Sequence, residues 1–333
     1  MVGDGEMEEA GWTETARNEG DRYENGECPS RVLDAISQRG RPDADIIVFA
    51  NEKGGVGKST LAFHTAVRLA EEGRKVLTID LDYRQKSMSS AIAARSGTAS
   101  CLGAELAIPR HCVIDKPSGS LLLQEMFRLG GQCDAIVIDC PGSDSGLARR
   151  AIALATTLVT PINASHFDCD VLAHFHAASG RLEGPGAFGQ TVLDLRAEQK
   201  QRGQRLADWI VVKNRVRTLE KAQIARIDDQ LARLADRFGL RTGEGLREGI
   251  AYRELLPYGL LRSDLKRIAE LDQFSTRDNG ELDEFIATLA LPDRSGMTET
   301  PSSFPSRSRT LRSTRERYAQ SLRASVAGKL AVA

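Results

Sequence analysis

Residues 53–60 read Lys-Gly-Gly-Val-Gly-Lys-Ser-Thr and follow directly on the apolar run 46–50. Glycines at 54, 55 and 57 let the backbone bend tightly and turn its N–H groups inward around an anion. The preceding run reads as a buried strand. The segment 58–72 carries Leu61, Thr65, Leu69 and Ala70 at helical spacing and stops at Gly73. A strand, a glycine-rich turn and a helix make the opening unit of a parallel α/β sheet, since parallel strands need a crossover. The loop is an altered one. The usual pattern has a glycine five residues before the glycine of the terminal Gly-Lys-Ser/Thr. Glu52 stands there instead, and Lys53 sits just ahead of the glycines.

The rest of the chain repeats that alternation. A second strand at 75–79 runs into Asp80-Leu81-Asp82, and a helix follows at 85–95. Residues 97–133 are weakly patterned, with a helix expected at 121–129. A third buried strand at 134–138 ends in Asp139-Cys140-Pro141-Gly142. Beyond it come a helix at 146–154, a strand at 157–161, a helix at 168–179 and a Gly/Pro loop at 183–189. A strand at 209–213 ends at Asn214; a long amphipathic helix covers 219–238, a short strand 240–242 and a last helix 282–289. Strands alternating with helices predict an α/β P-loop NTPase fold, a mainly parallel sheet with helices on both faces.

Composition sets the domain limits. The 333 residues carry a net charge of −1, so bulk charge does not argue for nucleic acid. The charge is placed unevenly. Residues 1–42 are rich in Asp and Glu, and 301–333 carry Arg307, Arg309, Arg312, Arg315, Arg317, Arg323 and Lys329. Such segments bury too little apolar surface to offset chain entropy. The expected layout is an acidic, disordered extension at 1–42, a nucleotide-binding domain at 43–292, and a basic tail at 293–333, disordered or partly helical. The six cysteines are scattered without a C-x-x-C pair, as expected of reduced thiols in a cytoplasmic protein. No apolar run approaches the roughly 20 residues that span a bilayer, and the acidic N-terminus does not read as a secretion signal.

Chemistry concentrates at the strand ends. Backbone N–H groups of Gly54, Gly55, Val56, Gly57 and Lys58 can wrap a β-phosphate, and the helix dipole adds to the attraction. Thr60 belongs to the same cradle. Lys58 would reach the β- and γ-phosphates, and Ser59 would hold Mg²⁺. A lone Asp after a strand is usually a cap. With Pro-Gly behind it and this loop elsewhere, Asp139 is read as the carboxylate that binds Mg²⁺ through water. Asp80 and Asp82, two apart on an extended segment, would point to opposite sides, one toward the metal and one toward an attacking water. Together these imply ATP, Mg²⁺ and phosphoryl transfer to water. His166, His174 and His176 form no ligand spacing.

These motifs resemble the deviant Walker-A (SIMIBI) ATPases of the ParA/MinD group, and within it the MipZ-type division-plane regulators. The resemblance spans about 46–264. It is made specific by Asn51-Glu52-Lys53-Gly54-Gly55, the stretch 79–85, Asp208-Trp209-Ile210-Val211-Val212-Lys213-Asn214-Arg215 and Tyr252-Arg253-Glu254-Leu255-Leu256-Pro257-Tyr258-Gly259. The resemblance implies that Lys53 reaches across a dimer to the partner's phosphates, that Asp82 orients the water and that Asp80 belongs to the Mg²⁺ shell. It places Asn214 on the adenine, with Pro257 beside it. It implies a slow, dimer-dependent ATPase whose ATP-bound homodimer binds DNA without sequence preference and inhibits FtsZ assembly. Monomers would be recruited by a ParB-like protein, giving a nucleoid- and pole-associated pool. The segment between Asp82 and Asp139 is shorter than in that family, and both polar ends are additional.

Residues for DNA would be Arg215, Arg217, Lys221 and Arg226, with Lys200, Arg202, Arg205 and Lys213 nearby; Glu220, Asp228 and Asp229 offset them. In the tail, Tyr318, Leu322, Val326 and Leu330 recur every four residues. With alanine dominant and no Trp or Phe on that face, a disordered or DNA-assisting tail is favoured over a membrane helix, and no stable membrane insertion is expected. The alternatives are a ParA-type chromosome or plasmid partition ATPase, and a metabolic enzyme on the same fold, which would need cysteine patterns not seen here.

Overall fold

The computed structural model describes residues 28–38, 41–163, 169–176, 179–216, 221–247, 249–268, 271, 280–293 and 312–330. In order, the first half holds α1 (Pro29–Ser37), β1 (Asp45–Phe49), α2 (Lys58–Glu71), β2 (Val76–Asp80) and α3 (Ser87–Leu102). It continues with β3 (Arg110–Val113), α4 (Gly119–Gly130), β4 (Ala135–Asp139), α5 (Gly146–Leu154) and β5 (Thr157–Asn163). The second half holds a hairpin of β6 (Ala173–Phe175) and β7 (Leu182–Pro185), then α6 (Ala187–Gln201), β8 (Asp208–Asn214), α7 (Lys221–Phe238) and β9 (Arg241–Glu244). The last elements are α8 (Ile250–Leu255), two 3-10 turns (Leu256–Tyr258 and Ser263–Lys266), α9 (Glu281–Thr288) and α10 (Arg312–Leu330).

Seven strands form one sheet in the order β3-β2-β4-β1-β5-β8-β9, and every neighbouring pair is parallel. β1, β2 and β4 are buried along their whole length, which explains their mainly apolar sequences. Alternate side chains feed two cores. Ile46, Val48, Leu77 and Ile79 pack under α1, α4, α5, α6 and α7, while Ile47, Phe49 and Val76 pack under α2, α3 and α9. The register sets Asp80 beside Asp139 at the ends of neighbouring strands.

Several expectations need correction. The 168–179 segment is not one helix: Ala173–Phe175 pairs antiparallel with Leu182–Pro185. The 183–189 loop contains the end of β7 and the start of α6. Its glycines serve close packing, because a Cβ at Gly186 would lie 2.1 Å from the Asp170 carbonyl oxygen and one at Gly189 would lie 2.0 Å from that of Leu172. The edge strand β3, with its partly exposed side chains, gave no clear apolar signal.

The ends also pack. Val32, Leu33 and Ile36 of α1 are buried in the main core, so that core draws on residues ahead of 43. Arg202 fixes this helix through Asp34 at 2.7 Å and the Ser30 carbonyl at 3.2 Å. In α10, Ala319 and Leu322 are buried in a third cluster with Ala99, Leu102 and Leu265. The Tyr318 hydroxyl lies 2.7 Å from that of Thr98. The side chains of Val326 and Leu330 lie outside the described residues, as do residues 1–27.

Candidate nucleotide site

β1 delivers the chain into the glycine loop, and α2 leaves it. Gly57 is the N-cap of α2 in a left-handed conformation (φ 93°), and Gly55 has φ 77°. Side chains would be strained at both positions. Gly54 and Gly55 have open space where a Cβ would go. Lys58 is buried and donates from Nζ to the Lys53 carbonyl at 2.8 Å. Burial lowers its pKa, while Asp139 and Asp82 nearby support the charged form. The Lys53 main chain is held at both ends, since its N–H also donates to Asn51 Oδ1 at 3.0 Å. Asn51, itself buried, is anchored by Nδ2 to the Pro161 carbonyl at 2.8 Å.

Asp139 closes β4 with 0% exposure, and neither carboxylate oxygen has a hydrogen-bond partner of normal geometry. Burial first, and then the neighbouring Asp80, push its pKa up to about 8, with Ser59 and Lys58 close enough to offset part of that rise. A buried carboxylate with bare oxygens beside a half-buried serine suits a hard divalent cation. The glycine loop, with inward N–H groups and open space, suits the phosphates. The residues present therefore fit Mg²⁺ and a nucleoside triphosphate.

Asp80 is also buried, but its oxygens are occupied. Oδ1 accepts the Asp82 N–H at 3.0 Å, and Oδ2 accepts the Ser89 N–H at 3.0 Å and its hydroxyl at 2.6 Å. Asp82 lies past the end of β2, just ahead of the turn at 83–85. Its Oδ1 accepts the N–H groups of Arg84 at 3.2 Å and Gln85 at 2.9 Å, and its Oδ2 makes no hydrogen bond among the described residues.

Three positioning residues escaped the sequence reading. Ser89 anchors Asp80, and no local signal marks it. Asn51 frames Lys53. Gly142 brings the segment after Asp139 onto the loop: a Cβ there would lie 3.3 Å from Gly54 Cα and 3.3 Å from Lys58 Nζ. Its Asp-Cys-Pro-Gly motif was the available clue.

Asn214, expected on the adenine, is buried, with its amide engaged at both ends. Nδ2 donates to the Val56 carbonyl at 2.8 Å and Oδ1 accepts the Leu246 N–H at 3.0 Å. It ties the glycine loop to the segment after β9. Pro257 is exposed in the 3-10 turn against α3, where Thr98 donates to the Tyr258 carbonyl at 2.8 Å.

Of the basic residues expected to meet DNA, Arg215 and Arg226 are exposed. Arg215 adopts a left-handed backbone (φ 56°), and its Nε lies 3.6 Å from where a Gly57 Cβ would be, so it leans over the glycine loop. Arg226 is exposed on α7. Arg217 and the Lys221 side chain lie outside the described residues. Lys213 is buried and paired with Asp228 and Glu244, and Arg202 is paired with Glu198 at 2.8 Å besides Asp34. Both are structural cations.

Comparison with known proteins agrees with this geometry. The chromosome-partitioning ATPase Soj of Thermus thermophilus is 28% identical over 208 residues, covering 52% of this chain and 83% of that protein. The maintenance of carboxysome distribution protein A of Gloeobacter kilaueensis is 32% identical over 159 residues, covering 48% of this chain and 66% of the relative. Among solved structures, an ATP complex of a variant McdA from Cyanothece superposes with a TM-score of 0.51 at 19% identity, over 76% of this chain and 98% of that one. That likeness shows the fold. The family model of ATPase MipZ matches residues 45–293, from the first residue of β1 to beyond α9. A match that takes in the whole parallel sheet, the glycine loop and the Asp80–Asp139 pair places the chain in the MipZ family of ATPases.

Proposed function

We propose that this chain is an ATP-driven dimerising switch that positions the division plane. In this reading the dimer binds DNA nonspecifically and inhibits FtsZ assembly, a ParB-like protein recruits the monomer, and hydrolysis resets the dimer to monomer. The observation that carries the reading is the framing of Lys53. Asn51 fixes its N–H and Lys58 its carbonyl, so its side chain leaves the loop from a rigid base. With the main chain already fixed, only the side-chain torsions remain to be ordered when the lysine meets a phosphate.

Within one subunit, the Gly54–Lys58 N–H groups bind the phosphates, Lys58 balances their charge, and Ser59 with Asp139 holds Mg²⁺. Mg²⁺, when bound, neutralises charge on the β- and γ-phosphates. Asp80 ties the turn after β2 to the start of α3 through the Asp82 N–H and Ser89, beside Asp139. Asp82 is clamped through Oδ1, which leaves Oδ2 to align a water. The partner's Lys53 would complete the phosphate cage, making nucleotide state and oligomeric state one equilibrium. Exposed Arg226 and the arginine over the glycine loop, Arg215, would contribute to a DNA surface that changes with that state.

The second reading is a partition ATPase, favoured by the likeness to Soj. Both readings require that Lys53→Ala keep ATP binding and lose the ATP-dependent dimer in sedimentation, and that Asp82→Ala trap it. A Lys53→Ala protein that still dimerises with ATP would sink both. Imaging beside FtsZ separates them: a polar gradient, lowest at the division plane, supports the first, and movement with replicated DNA supports the second. Nonspecific DNA binding predicts affinity that falls steeply with salt and hardly varies with sequence. Among the described residues no helix is long and apolar enough to cross a membrane.

A further inference from the structure

α10 lies beyond residue 293, where the match to the family model ends, yet it is packed into the molecule. Ala319 and Leu322 are buried against Ala99 and Leu102 of α3, Leu255 of α8 and Leu265. They are three apart and share one helix face, and Tyr318, four ahead of Leu322, lies on the same face. Gln320, Ser321 and Arg323 are exposed on the other side. A helix with one apolar stripe docks in this way.

A three-way polar junction sits inside this contact. Thr98 Oγ1 of α3 commits its one hydrogen to the Tyr258 carbonyl at 2.8 Å. The Tyr318 hydroxyl, 2.7 Å from the same oxygen, is therefore the donor of that second bond. The Tyr318 ring stands edge-on to Tyr258, with centroids 6.4 Å apart. One residue of α10 thus reaches both α3 and the first 3-10 turn. The turn itself is pressed into α3, because a Cβ at Gly259 would lie 2.2 Å from the Arg95 nitrogen and 2.4 Å from the Ala91 carbonyl oxygen. At the C-terminal end of α3, Arg315 Nη1 lies 3.6 Å from where a Gly103 Cβ would be. A cation there meets the negative end of the helix dipole.

The other end of α3 belongs to the nucleotide site. The helix has 16 residues, a length of about 24 Å. Its first turn holds Ser89, whose N–H and hydroxyl both donate to Asp80 Oδ2. Just ahead of it, the Lys86 N–H donates to the Asp82 carbonyl at 2.8 Å. The segment from Asp80 to Ser89 is therefore bonded to the start of α3. Close-packed elements transmit displacement, so slack around Thr98 and Leu102 is felt at Ser89. We infer that α10 is a brace for the nucleotide site: it holds the far end of α3 and so keeps the Asp80–Asp82 segment in place, with Tyr318 as its positioning residue. With α10 docked, the glycine loop is open and Asp139 is bare, which is the form that receives a ligand. Loss of the brace lowers the share of molecules in that form, and the apparent nucleotide affinity falls with it. The inference rests on the nucleotide reading of that site.

The test uses the full chain and two readouts: hydrogen exchange at the Ser89 amide, which is bonded to Asp80, and stopped-flow release of mant-ADP with Mg²⁺. Tyr318→Phe removes only the junction's hydroxyl and should speed both about threefold. Leu322→Ala leaves a gap in the cluster and should speed both roughly tenfold. Gln320→Ala, on the exposed side of α10, should leave both at the wild-type value. If either readout stays at the wild-type value in Tyr318→Phe and Leu322→Ala, whatever happens to the amides of α10 itself, α10 is a packing element only and the inference fails. If the wild-type chain does not bind mant-ADP, the nucleotide reading fails, and Ser89 exchange alone still decides whether α10 braces α3.

Discussion

Asp139 and Asp264 are both buried with 0% exposure, yet their surroundings are opposite. Asp264 is saturated. Arg95 grips it with two bonds of 2.6 and 3.1 Å, and the Leu261 N–H adds a third at 2.7 Å. Arg95 in turn donates to the carbonyls of Ala107 at 2.6 Å and Gly259 at 2.9 Å, so α3 is locked to the C-terminal segment. Asp139 has bare oxygens. A buried carboxyl that is fully met is architecture; one left unmet, and held largely protonated near pH 7, awaits a ligand. The two aspartates divide the α2–α3 side of the molecule into a clamp and a site.

The comparison can be broken by mutation, and the largest effect belongs to the clamp. Asp264→Ala leaves the buried Arg95 guanidinium with only Glu71, 3.9 Å away, as a counter-charge, which should cost about 3–5 kcal/mol in urea unfolding. The double variant Arg95→Met with Asp264→Leu should cost much less than the two single changes summed. An Asp264→Ala protein of native stability would remove the distinction.

Next in size is the pH response of His64. Its folded pKa of about 4 lies below the usual value of 6.5, so below pH 6.5 the unfolded chain takes up a proton that the folded chain refuses. The sign is therefore a loss of stability as pH falls from about 6.5 to about 4, amounting to roughly 3 kcal/mol at the low end. Arg95 nearby strengthens this, and Asp264 and the Thr60 carbonyl oppose it. His64→Phe should flatten that part of the profile; an unchanged slope between the two proteins would place His64 in water.

Smaller still is Ser89→Ala. It removes the 2.6 Å hydroxyl bond to Asp80 but keeps the backbone one, for a loss of about 1.5 kcal/mol by chemical denaturation. The smallest effect on stability belongs to Asp139→Asn. With the carboxyl held largely protonated near pH 7 by a pKa of about 8, and only Ser59 and Lys58 close by, the folded state should change by no more than about 1 kcal/mol. Mg²⁺-dependent ATP binding should fall in the same protein. A destabilisation near that of Asp264→Ala would show that Asp139 is a structural anchor instead.

Much of the site was legible because its signals are local. The glycine loop, the strand before it and the helix after it lie within a few residues of one another, and Asp139 is marked by the apolar strand it closes and the Pro-Gly that follows. The α6 helix was hidden because Gly186 and Gly189 read as loop residues, whereas they are required by the Asp170 and Leu172 carbonyls behind them. Two of the neighbouring basic residues were hidden for a related reason. Lys213 and Arg202 look free in sequence, and only folding brings their carboxylates to them.

What the sequence determined by itself is therefore the set of short-range units: buried strands from mainly apolar runs, a phosphate loop from glycines that tolerate left-handed backbone, and carboxylates at strand ends. Only the tertiary structure decided how those units serve one another. It set Asp80 beside Asp139 through strand register and brought Asn214 onto the loop from 158 positions away. It paired Arg95 with Asp264 across 169 positions. Whether a buried polar atom is met depends on the far partner that packing delivers, and a local pattern carries no record of that partner.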